Sequence, residues 1–459
     1  MKRKVLSALM AGTMAASLLA GCGSSSSTTS TSTAGTSAAD ATASASTETA
    51  SAAGTSAAAT GNGEAIHLVN GKIEIDTQLK AAAAAYQKET GQEVVIDSIG
   101  GGADIQGTLK SDYQSGSMPD MFVIGGEGDY KTWQGKCADL SDCAFVKDTD
   151  FAFKDGDTVV GFPYAIEGYG ITYNADILEK AGIDPTTLTN ASKLEDAFKT
   201  LDAKKSDLGL QAVCSVAAES GQMYWSTGNH IFGYYLSGGL EKGDNTYYDQ
   251  LMQGKIDETR MGEFADFIGV LYKYSDPTVL TSGTYDDQLK LFAEGKAAFI
   301  TQGDWIDPSL YGDSDTSYKV SFKSGMIPLA WTKADMPNIL ADCPSWWCVY
   351  KDGANVDACK AFLDWLATSE EGQKCLISDC DMVSPYKTTT ESPTTPLAQS
   401  LKGYVDAGKT SSWAWSNMPS GIAQNYLGAV FESYAKDNDK AAFIKNIAQA
   451  ISDCISQSE

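Results

Sequence analysis

The stretch EVVIDSIGGGADIQGTLKSDYQSGSMPDMFVI, residues 93–124, carries the strongest indication of the fold. The run from Glu93 to Ile96 is typical of a short strand, and Ile105 to Tyr113 has the spacing of an amphipathic helix. Met121 to Ile124 is a second apolar run, which predicts a buried strand. A strand, a helix and a strand in this order predict a parallel α/β sheet, whose ligands bind at the carboxyl ends of the strands.

The same alternation continues on both sides of this stretch. Ile66 to Val69 predicts a preceding strand. Further along, Tyr285 to Ala293 predicts an amphipathic helix, Ala297 to Thr301 a buried strand, and Asp357 to Ala367 another helix. The loops at residues 98–104 and 125–130 follow predicted strands, so we expect them to lie near any binding site.

The amino terminus predicts export. A basic segment at residues 2–4 precedes an apolar stretch at residues 5–20, which is too short and too rich in alanine and serine for a membrane span. It ends in Leu19-Ala20-Gly21-Cys22, which resembles the bacterial lipobox, so we predict a signal peptide at 1–21 and lipidation of Cys22. The alternative is an ordinary signal peptide with an incidental cysteine.

The segment that follows is composed almost wholly of serine, threonine, alanine and glycine. Between residues 23 and 63 only Asp40 and Glu48 are charged, and no aromatic residue occurs. Such a composition cannot bury enough apolar surface to offset the entropy of ordering. Residues 22–63 are therefore predicted to be a lipidated cysteine and a disordered tether.

Composition excludes several kinds of site. The formal net charge of −25 disfavours nucleic acid and anionic lipid as partners. His67 and His230 are the only histidines, so a three-histidine metal site has too few ligands and a histidine-dependent nucleophile is disfavoured. We predict no metal and no cofactor.

The cysteines after Cys22 leave two interpretations open. None of them forms a CxxC pair, which disfavours a zinc ribbon. Export permits disulfides, and Cys343 with Cys348 or Cys375 with Cys380 are spaced as pairs. Unpaired core thiols fit the sequence equally well.

One nucleotide-binding pattern is judged coincidental. Gly403 to Thr410 satisfies G-x-x-x-x-G-K-[ST], which requires a strand before it and a helix after it. The preceding Ala398 to Lys402 has a helical pattern instead.

Several further stretches occur in a characteristic order. They are Gly116–Phe122 (GSMPDMF), Phe162–Asn174 (FPYAIEGYGITYN), Phe292–Phe299 (FAEGKAAF) with Gly303-Asp304-Trp305, and Ala361–Leu366 (AFLDWL) with Glu371-Gly372-Gln373. Together they resemble the extracellular solute-binding proteins of ABC importers, specifically the maltose-binding-like, sugar-type family. The resemblance implies the type II periplasmic-binding-protein fold, in which two α/β lobes close on a ligand and are joined by a hinge of three crossings.

The resemblance also implies a domain plan. Lobe 1 is predicted to comprise residues 64–172 and 330–388, and lobe 2 residues 173–329 and 389–459. The hinge crossings are expected near residues 170–174, 326–332 and 384–390. No covalent chemistry is implied, so we expect a binding protein and not an enzyme.

The candidate ligand-binding residues are aromatic or acidic, because rings stack on the apolar faces of sugars and carboxylates accept protons from hydroxyls. Trp305, Glu167 and Glu127 match positions that bind ligand in the family, and Trp413 or Trp415 lies in a region that resembles its aromatic wall. The full set is Trp305, Glu167, Glu127, Asp129, Trp413, Trp415, Tyr426, Trp225, Tyr224 and Trp346. Trp346 and Trp347 adjoin on a predicted strand, so one should face the core and the other the opposite side.

The sequence therefore predicts a monomeric substrate-binding lipoprotein that captures a carbohydrate, most consistent with an oligosaccharide, and delivers it to the permease of an ABC transporter. The lipid would be its only membrane attachment, on the extracellular face of the cytoplasmic membrane of a single-membrane bacterium. Two alternatives remain open: an exported carbohydrate-active hydrolase with two carboxylates, or the same fold binding a cationic solute that is not a sugar.

Overall fold

A computed structural model describes residues 63–100, 102–312 and 316–458. The predicted signal peptide, Cys22 and nearly all of the predicted tether lie outside these residues. Within the described ranges, none of the helices is long and apolar enough to cross a membrane.

The strands are named in chain order. They are β1 (Ile66–Asn70), β2 (Val94–Ser98), β3 (Met121–Ile124), β4 (Phe153–Asp155), β5 (Thr158–Pro163), β6 (Glu167–Tyr169), β7 (Ile171–Asn174), β8 (Ala212–Ser215), β9 (Ala297–Ile300), β10 (Ser324–Ile327), β11 (Ile339–Asp342), β12 (Trp346–Val349) and β13 (Thr410–Ser411).

The α-helices are named in the same way. They are α1 (Asp76–Thr90), α2 (Ile105–Ser115), α3 (Glu127–Trp133), α4 (Ala175–Ala181), α5 (Ala191–Ala203), α6 (Lys205–Leu208), α7 (Phe232–Ser237), α8 (Thr246–Met252), α9 (Glu258–Lys273), α10 (Pro277–Ser282), α11 (Tyr285–Ala293), α12 (Asp307–Tyr311), α13 (Val356–Thr368), α14 (Glu370–Gln373), α15 (Pro396–Asp406), α16 (Gly428–Asp437) and α17 (Lys440–Ser458). A π-helical turn, Ser226–Ile231, leads directly into α7.

The first sheet contains the stretch that decided the fold class. Its strand order is β2-β1-β3-β12-β5-β4, and β1 runs parallel to both β2 and β3. The prediction of a parallel sheet is only partly correct, because β12 runs antiparallel to β3 and β5. The chain reaches this strand from β11, which belongs to another sheet, and not through a βα crossover, so nothing in the connection imposes a parallel direction.

The second sheet has the order β10-β7-β9-β8, and a third, small sheet has the order β13-β11-β6. The chain leaves the first sheet through β6 to reach β7, and it returns from β10 through β11 to β12. The chain passes from the first core to the second once more between α14 and α15, and α15 packs against β10. The exact hinge positions and lobe boundaries remain predictions.

Each large sheet has its own apolar core. Leu68, Trp347 and Phe362 are fully buried in the core of the first sheet, whereas Phe264 and Phe299 are fully buried in the core of the second. Helices α1 and α13 contribute to the first core, and the long helices α9, α16 and α17 to the second. The two large sheets therefore belong to two separately packed cores.

The paired cysteine spacings fitted either disulfides or unpaired core thiols, and the structure has unpaired thiols at these positions. Cys343 and Cys348 are buried free thiols, and so are Cys375 and Cys380. Burial raises the pKa of Cys375 to about 11, so that this thiol stays protonated and unreactive at neutral pH.

The segment with the nucleotide-binding pattern begins within a helix, as predicted. Helix α15 covers Gly403, and Thr410 begins the short strand β13. A phosphate-binding loop needs a strand before it and a helix after it, so this segment is not one.

Candidate functional site

A cleft of about 690 Å³ lies between the two sheets. On one side it is lined by segments that follow β1, β2 and β3, which is the carboxyl edge of the first sheet. The predicted loops at residues 98–104 and 125–130 both contribute to it. On the other side lie residues 224–230, Trp305 and residues 413–425.

The inner wall of the cleft is aromatic. The rings of Trp305 and Trp413 are nearly parallel, with centroids 6.2 Å apart and planes inclined by 21°. Tyr169, fully buried behind them, lies 5.9 Å from Trp305 and is inclined by only 12°. The indole N–H of Trp305 donates to Gln302 Oε1 at 2.9 Å, which fixes the plane of the ring. This wall presents a rigid apolar surface to the cleft.

His230 lies among these rings and lines the cleft. Its imidazole centroid is 4.7 Å from that of Trp305, 5.1 Å from Trp225 and 5.2 Å from Trp413. Burial, with the charge of Lys72 nearby, lowers the pKa of His230 to about 3. The imidazole is therefore neutral at physiological pH.

A buried ion pair forms the floor of the cleft. Lys72, which follows β1, donates to Glu167 Oε1 at 2.6 Å, and each side chain is only 11% exposed. Burial alone would lower the pKa of Lys72, but the negative charges of Glu167 and Glu74 outweigh it and raise that pKa. Lys72 therefore stays charged, and it ties the first sheet to β6.

Glu74 extends this floor toward the second sheet. The hydroxyl of Tyr285, in α11, donates to Glu74 Oε1 at 3.3 Å. Burial raises the pKa of Glu74, and Lys72 opposes that shift. Tyr164, on the other side of Lys72, hydrogen-bonds Ser345 at 2.5 Å and stacks on Trp347 with ring centroids 4.5 Å apart.

The outer rim of the cleft is closed by direct contact between its walls. Ser420 Oγ donates to Asp129 Oδ1 at 2.5 Å, while Asp129 Oδ2 accepts from the backbone N–H of Gly125 at 2.9 Å. A Cβ atom on Gly128 would lie 2.2 Å from the carbonyl oxygen of Met418. Only glycine permits this backbone approach at the start of α3.

Seven of the ten predicted ligand-binding residues line the cleft. They are Trp305, Glu167, Asp129, Trp413, Trp415, Tyr224 and Trp225. Tyr224 also reaches across, because its hydroxyl donates to the carbonyl of Gly102 at 3.4 Å. Their contact with a ligand remains a prediction.

The other three, Glu127, Tyr426 and Trp346, are not among the residues that line the cleft, and their contact with a ligand also remains a prediction. Trp346 packs on Phe153 with ring centroids 5.0 Å apart, and its indole N–H donates to the carbonyl of Phe151. The hydroxyl of Tyr426 donates to Oε1 of Gln457, which belongs to α17. Glu127 is exposed at the start of α3, one residue before the glycine that contacts the opposite wall.

Sequence reasoning missed Lys72, Asn229 and His230 as lining residues. Lys72 could have been found, because it follows β1 as directly as the predicted loops follow β2 and β3. His230 stands five positions after Trp225, but only the π-helical turn brings both side chains to the cleft. No local sequence pattern indicates such a turn.

Asp304, beside the floor, supports a prediction about pH. It is 5% exposed, and its Oδ1 accepts from the backbone N–H of Gly168 at 2.8 Å. Burial, reinforced by Glu167, raises the pKa of Asp304 from 3.8 to about 8. The native state thus keeps this proton up to about pH 8, whereas the unfolded chain loses it near pH 4. The stabilisation is complete below pH 4 and is lost as the pH rises to 8.

The variant Asp304→Asn has a neutral side chain at every pH. We therefore expect its stability to increase relative to that of the wild type as the pH rises. Between pH 5.5 and 8.5 the difference in free energy of unfolding should move in favour of the variant by about 3 kcal/mol. Urea unfolding at both pH values measures it. If the free energies of unfolding of the two proteins changed with pH in the same way, Asp304 would be ionised in the native state.

The described residues contain no group of three or more His, Cys, Asp or Glu side chains placed to hold a metal ion. The cleft instead offers rings, neutral hydrogen-bonding groups, carboxylates and the two lysines Lys72 and Lys110. These groups can bind and orient an uncharged polar molecule by stacking and hydrogen bonding.

Solved structures share this fold over most of the chain. A binding protein, MsmE, from Bacillus subtilis subsp. subtilis str. 168 in an open conformation matches with a TM-score of 0.67 and 18% identity, covering 86% of this chain and 98% of its own. The solute-binding protein RafE in complex with raffinose matches with a TM-score of 0.68 and 18% identity, covering 84% and 98%. A chitin oligosaccharide binding protein matches with a TM-score of 0.69 and 17% identity, covering 86% and 99%.

These matches confirm the fold class that the sequence predicted, two α/β lobes with a cleft between them. Residues 81–399 also match the family described as bacterial extracellular solute-binding proteins. Because the matched residues make up well over half of the chain, they establish its family. The chain is a member of the bacterial extracellular solute-binding proteins.

Proposed function

We propose that this protein binds a neutral carbohydrate, an oligosaccharide in preference to a single sugar, in the cleft between its lobes. The observation that carries the proposal is the parallel pair Trp305 and Trp413 beside the carboxylate of Glu167 in one cleft. Indole faces stack on the apolar faces of sugar rings, and carboxylates accept hydroxyl protons. A volume of about 690 Å³ accommodates more than one sugar ring.

The similar structures support this class of ligand. Their names give raffinose for one protein and chitin oligosaccharides for another, and a further match is a complex with stachyose. All of these ligands are oligosaccharides. Identities of 17–18% do not transfer a particular sugar to this chain.

The proposal includes delivery to a membrane permease. A lipid on Cys22 and the long segment after it would keep the lobes near a permease in the same membrane, on the outer face of the cytoplasmic membrane. The protein would act as a monomer, with no covalent chemistry. Replacing Cys22 by Ser should release the protein into the medium, as cell fractionation would reveal; a Cys22→Ser protein that stays with the membrane would argue against the anchor.

A thermal-shift screen tests the ligand class, because a ligand that binds only the native state must raise the melting temperature. Raffinose, stachyose and chitotriose form the carbohydrate arm, with spermidine and amino acids as the other arm. We expect a concentration-dependent rise with at least one oligosaccharide. A clear rise with spermidine and none with any carbohydrate would favour the cationic-solute alternative.

The hydrolase alternative has one observation in its favour. Glu74, with its raised pKa, lies close enough to Glu167 for their charges to interact, and a protonated acid beside a carboxylate is the pair that glycosidases use. Lys72 already neutralises Glu167, however, which weakens it as a nucleophile. Chromatography of the oligosaccharide after long incubation distinguishes the two functions, since cleavage abolished by Glu74→Gln would establish hydrolysis.

Closure of the rim gives a prediction for binding. Gly128→Val should hold the walls apart, because its side chain would overlap the backbone of Met418 and Ser420. We expect the dissociation constant for the bound oligosaccharide to rise about tenfold, as measured by calorimetry. Gly403→Val is the matched control, since a Cβ at Gly403 meets no atom within 4 Å. Equal affinities for the two variants would mean that this contact does not contribute to binding.

A further inference from the structure

Within the part of the chain that the structure describes, four polar atoms on residues that line the cleft have no hydrogen-bond partner. They are Trp225 Nε1, Asn229 Oδ1, His230 Nδ1 and Trp413 Nε1, and all are shielded from solvent. Proteins rarely leave buried polar groups unpaired, and each exception calls for an explanation, such as a bound group that completes it. Such a concentration around one aromatic wall therefore indicates recognition by hydrogen bonding as well as by stacking.

Three of these four residues come from one short segment. Trp225 immediately precedes the π-helical turn Ser226–Ile231, and Asn229 and His230 belong to it. A π-turn sets side chains at a different angular spacing from an α-helix, and such turns are frequent at functional sites. Here the turn brings Trp225, Asn229 and His230 to the same cleft.

The chemistry of the four groups is complementary. An indole N–H can only donate, the Asn229 oxygen can only accept, and a neutral imidazole does one of each. His230 is neutral because burial and Lys72 lower its pKa to about 3. The neighbouring cation, Lys72, is already paired with Glu167 at 2.6 Å and is not free to balance an anionic ligand.

We propose that His230 is a specificity-determining residue that hydrogen-bonds a hydroxyl of an uncharged sugar unit held against Trp305, with Asn229 accepting from a neighbouring hydroxyl. This inference rests on the proposed function and deepens it. Adjacent hydroxyls offer donors and acceptors side by side, as the four groups require. An amino sugar or a uronic acid brings a charge that the aromatic end of the cleft does not balance.

Calorimetric titration of the full chain tests this. The probes are raffinose, stachyose and chitotriose, with the trimers of glucosamine and galacturonic acid as charged counterparts. The variants are His230→Phe, which keeps a ring and removes both nitrogens, and His230→Asn and His230→Gln, which each restore one polar position. The control is His67→Phe, the other histidine, which bonds Asp97 on the first sheet at 2.7 Å.

We expect the wild type to bind a neutral trimer or tetramer at least tenfold more tightly than either charged trimer. His230→Phe should weaken the tightest of these neutral oligosaccharides about tenfold and reduce its preference over the second tightest, and one amide variant should recover part of the loss. His67→Phe should match the wild type.

Each other outcome overturns a definite statement. Unchanged affinity in His230→Phe, or an equal loss for every sugar, overturns the role of His230 while the proposed function stands. Tighter binding of a charged trimer by the wild type overturns the assignment to an uncharged unit. A wild type that binds none of the carbohydrates overturns the proposed function and this inference with it.

Discussion

Replacing Trp305 by alanine should weaken oligosaccharide binding by about 2–3 kcal/mol, which is roughly a 30- to 150-fold rise in dissociation constant. The indole lies at the centre of the aromatic wall, parallel to both Trp413 and Tyr169, and Gln302 holds its plane. Truncation removes the stacking face and leaves the Gln302 oxygen without its donor. Calorimetric titration at constant salt and pH measures the change.

Trp365→Ala is the matched control for that measurement. Trp365 is 8% exposed, packs on Tyr86 in the core of the first sheet, and donates to Glu89 at 2.8 Å, so it is as well ordered as Trp305 but outside the cleft. Both variants should lose folding stability, and only Trp305→Ala should lose affinity. Equal affinities in the two folded variants would remove Trp305 from the binding site.

Lys72→Met should lower the free energy of unfolding by about 3–5 kcal/mol. The substitution leaves the carboxylate of Glu167, only 11% exposed in its side chain, without its 2.6 Å partner. A buried unpaired charge is costly because neither water nor a counter-charge compensates it. Chemical denaturation at pH 7 measures this change in the free energy of unfolding.

Two further variants separate this explanation from a general loss of packing. Lys72→Met with Glu167→Gln removes both charges, so the double variant should recover at least half of the loss. Lys387→Met breaks the Lys387–Asp150 pair, which has the same 2.6 Å separation but side chains 54% and 77% exposed, and should cost less than about 1 kcal/mol. A double variant as unstable as the two single losses combined would refute the account of the ion pair.

The local pattern of the sequence was sufficient for much of the fold. Met121–Ile124 and Tyr285–Ala293 are observed with the predicted bounds, because both are short, strongly patterned and bounded by turn residues. The antiparallel direction of β12 was not predictable in this way. It depends on the chain crossing to the second sheet and back, over a sequence separation that no local pattern records.

For the candidate site, too, local patterns predicted some residues, whereas others depend on contacts between distant parts of the chain. Trp305 was found because it closely follows the carboxyl end of β9, and Trp413 and Trp415 because of the resemblance. Strand alternation could not decide the position of Trp346, because it shows that two neighbours face opposite sides of the sheet without showing which side borders the cleft. Both Trp346 and Trp347 are in fact buried, one on each side of the sheet. The position of His230 in the cleft depends on a π-turn and on rings from distant parts of the chain.

The most direct test of carbohydrate binding is calorimetric titration of the full chain with raffinose, stachyose and chitotriose, followed by recovery of the sugar. Saturable binding of one molecule per chain, with the oligosaccharide recovered intact, is the result that we predict. The absence of binding heat with every carbohydrate, together with saturable binding of spermidine, would contradict it. Recovery of cleaved oligosaccharide would contradict it as well, in favour of a hydrolase.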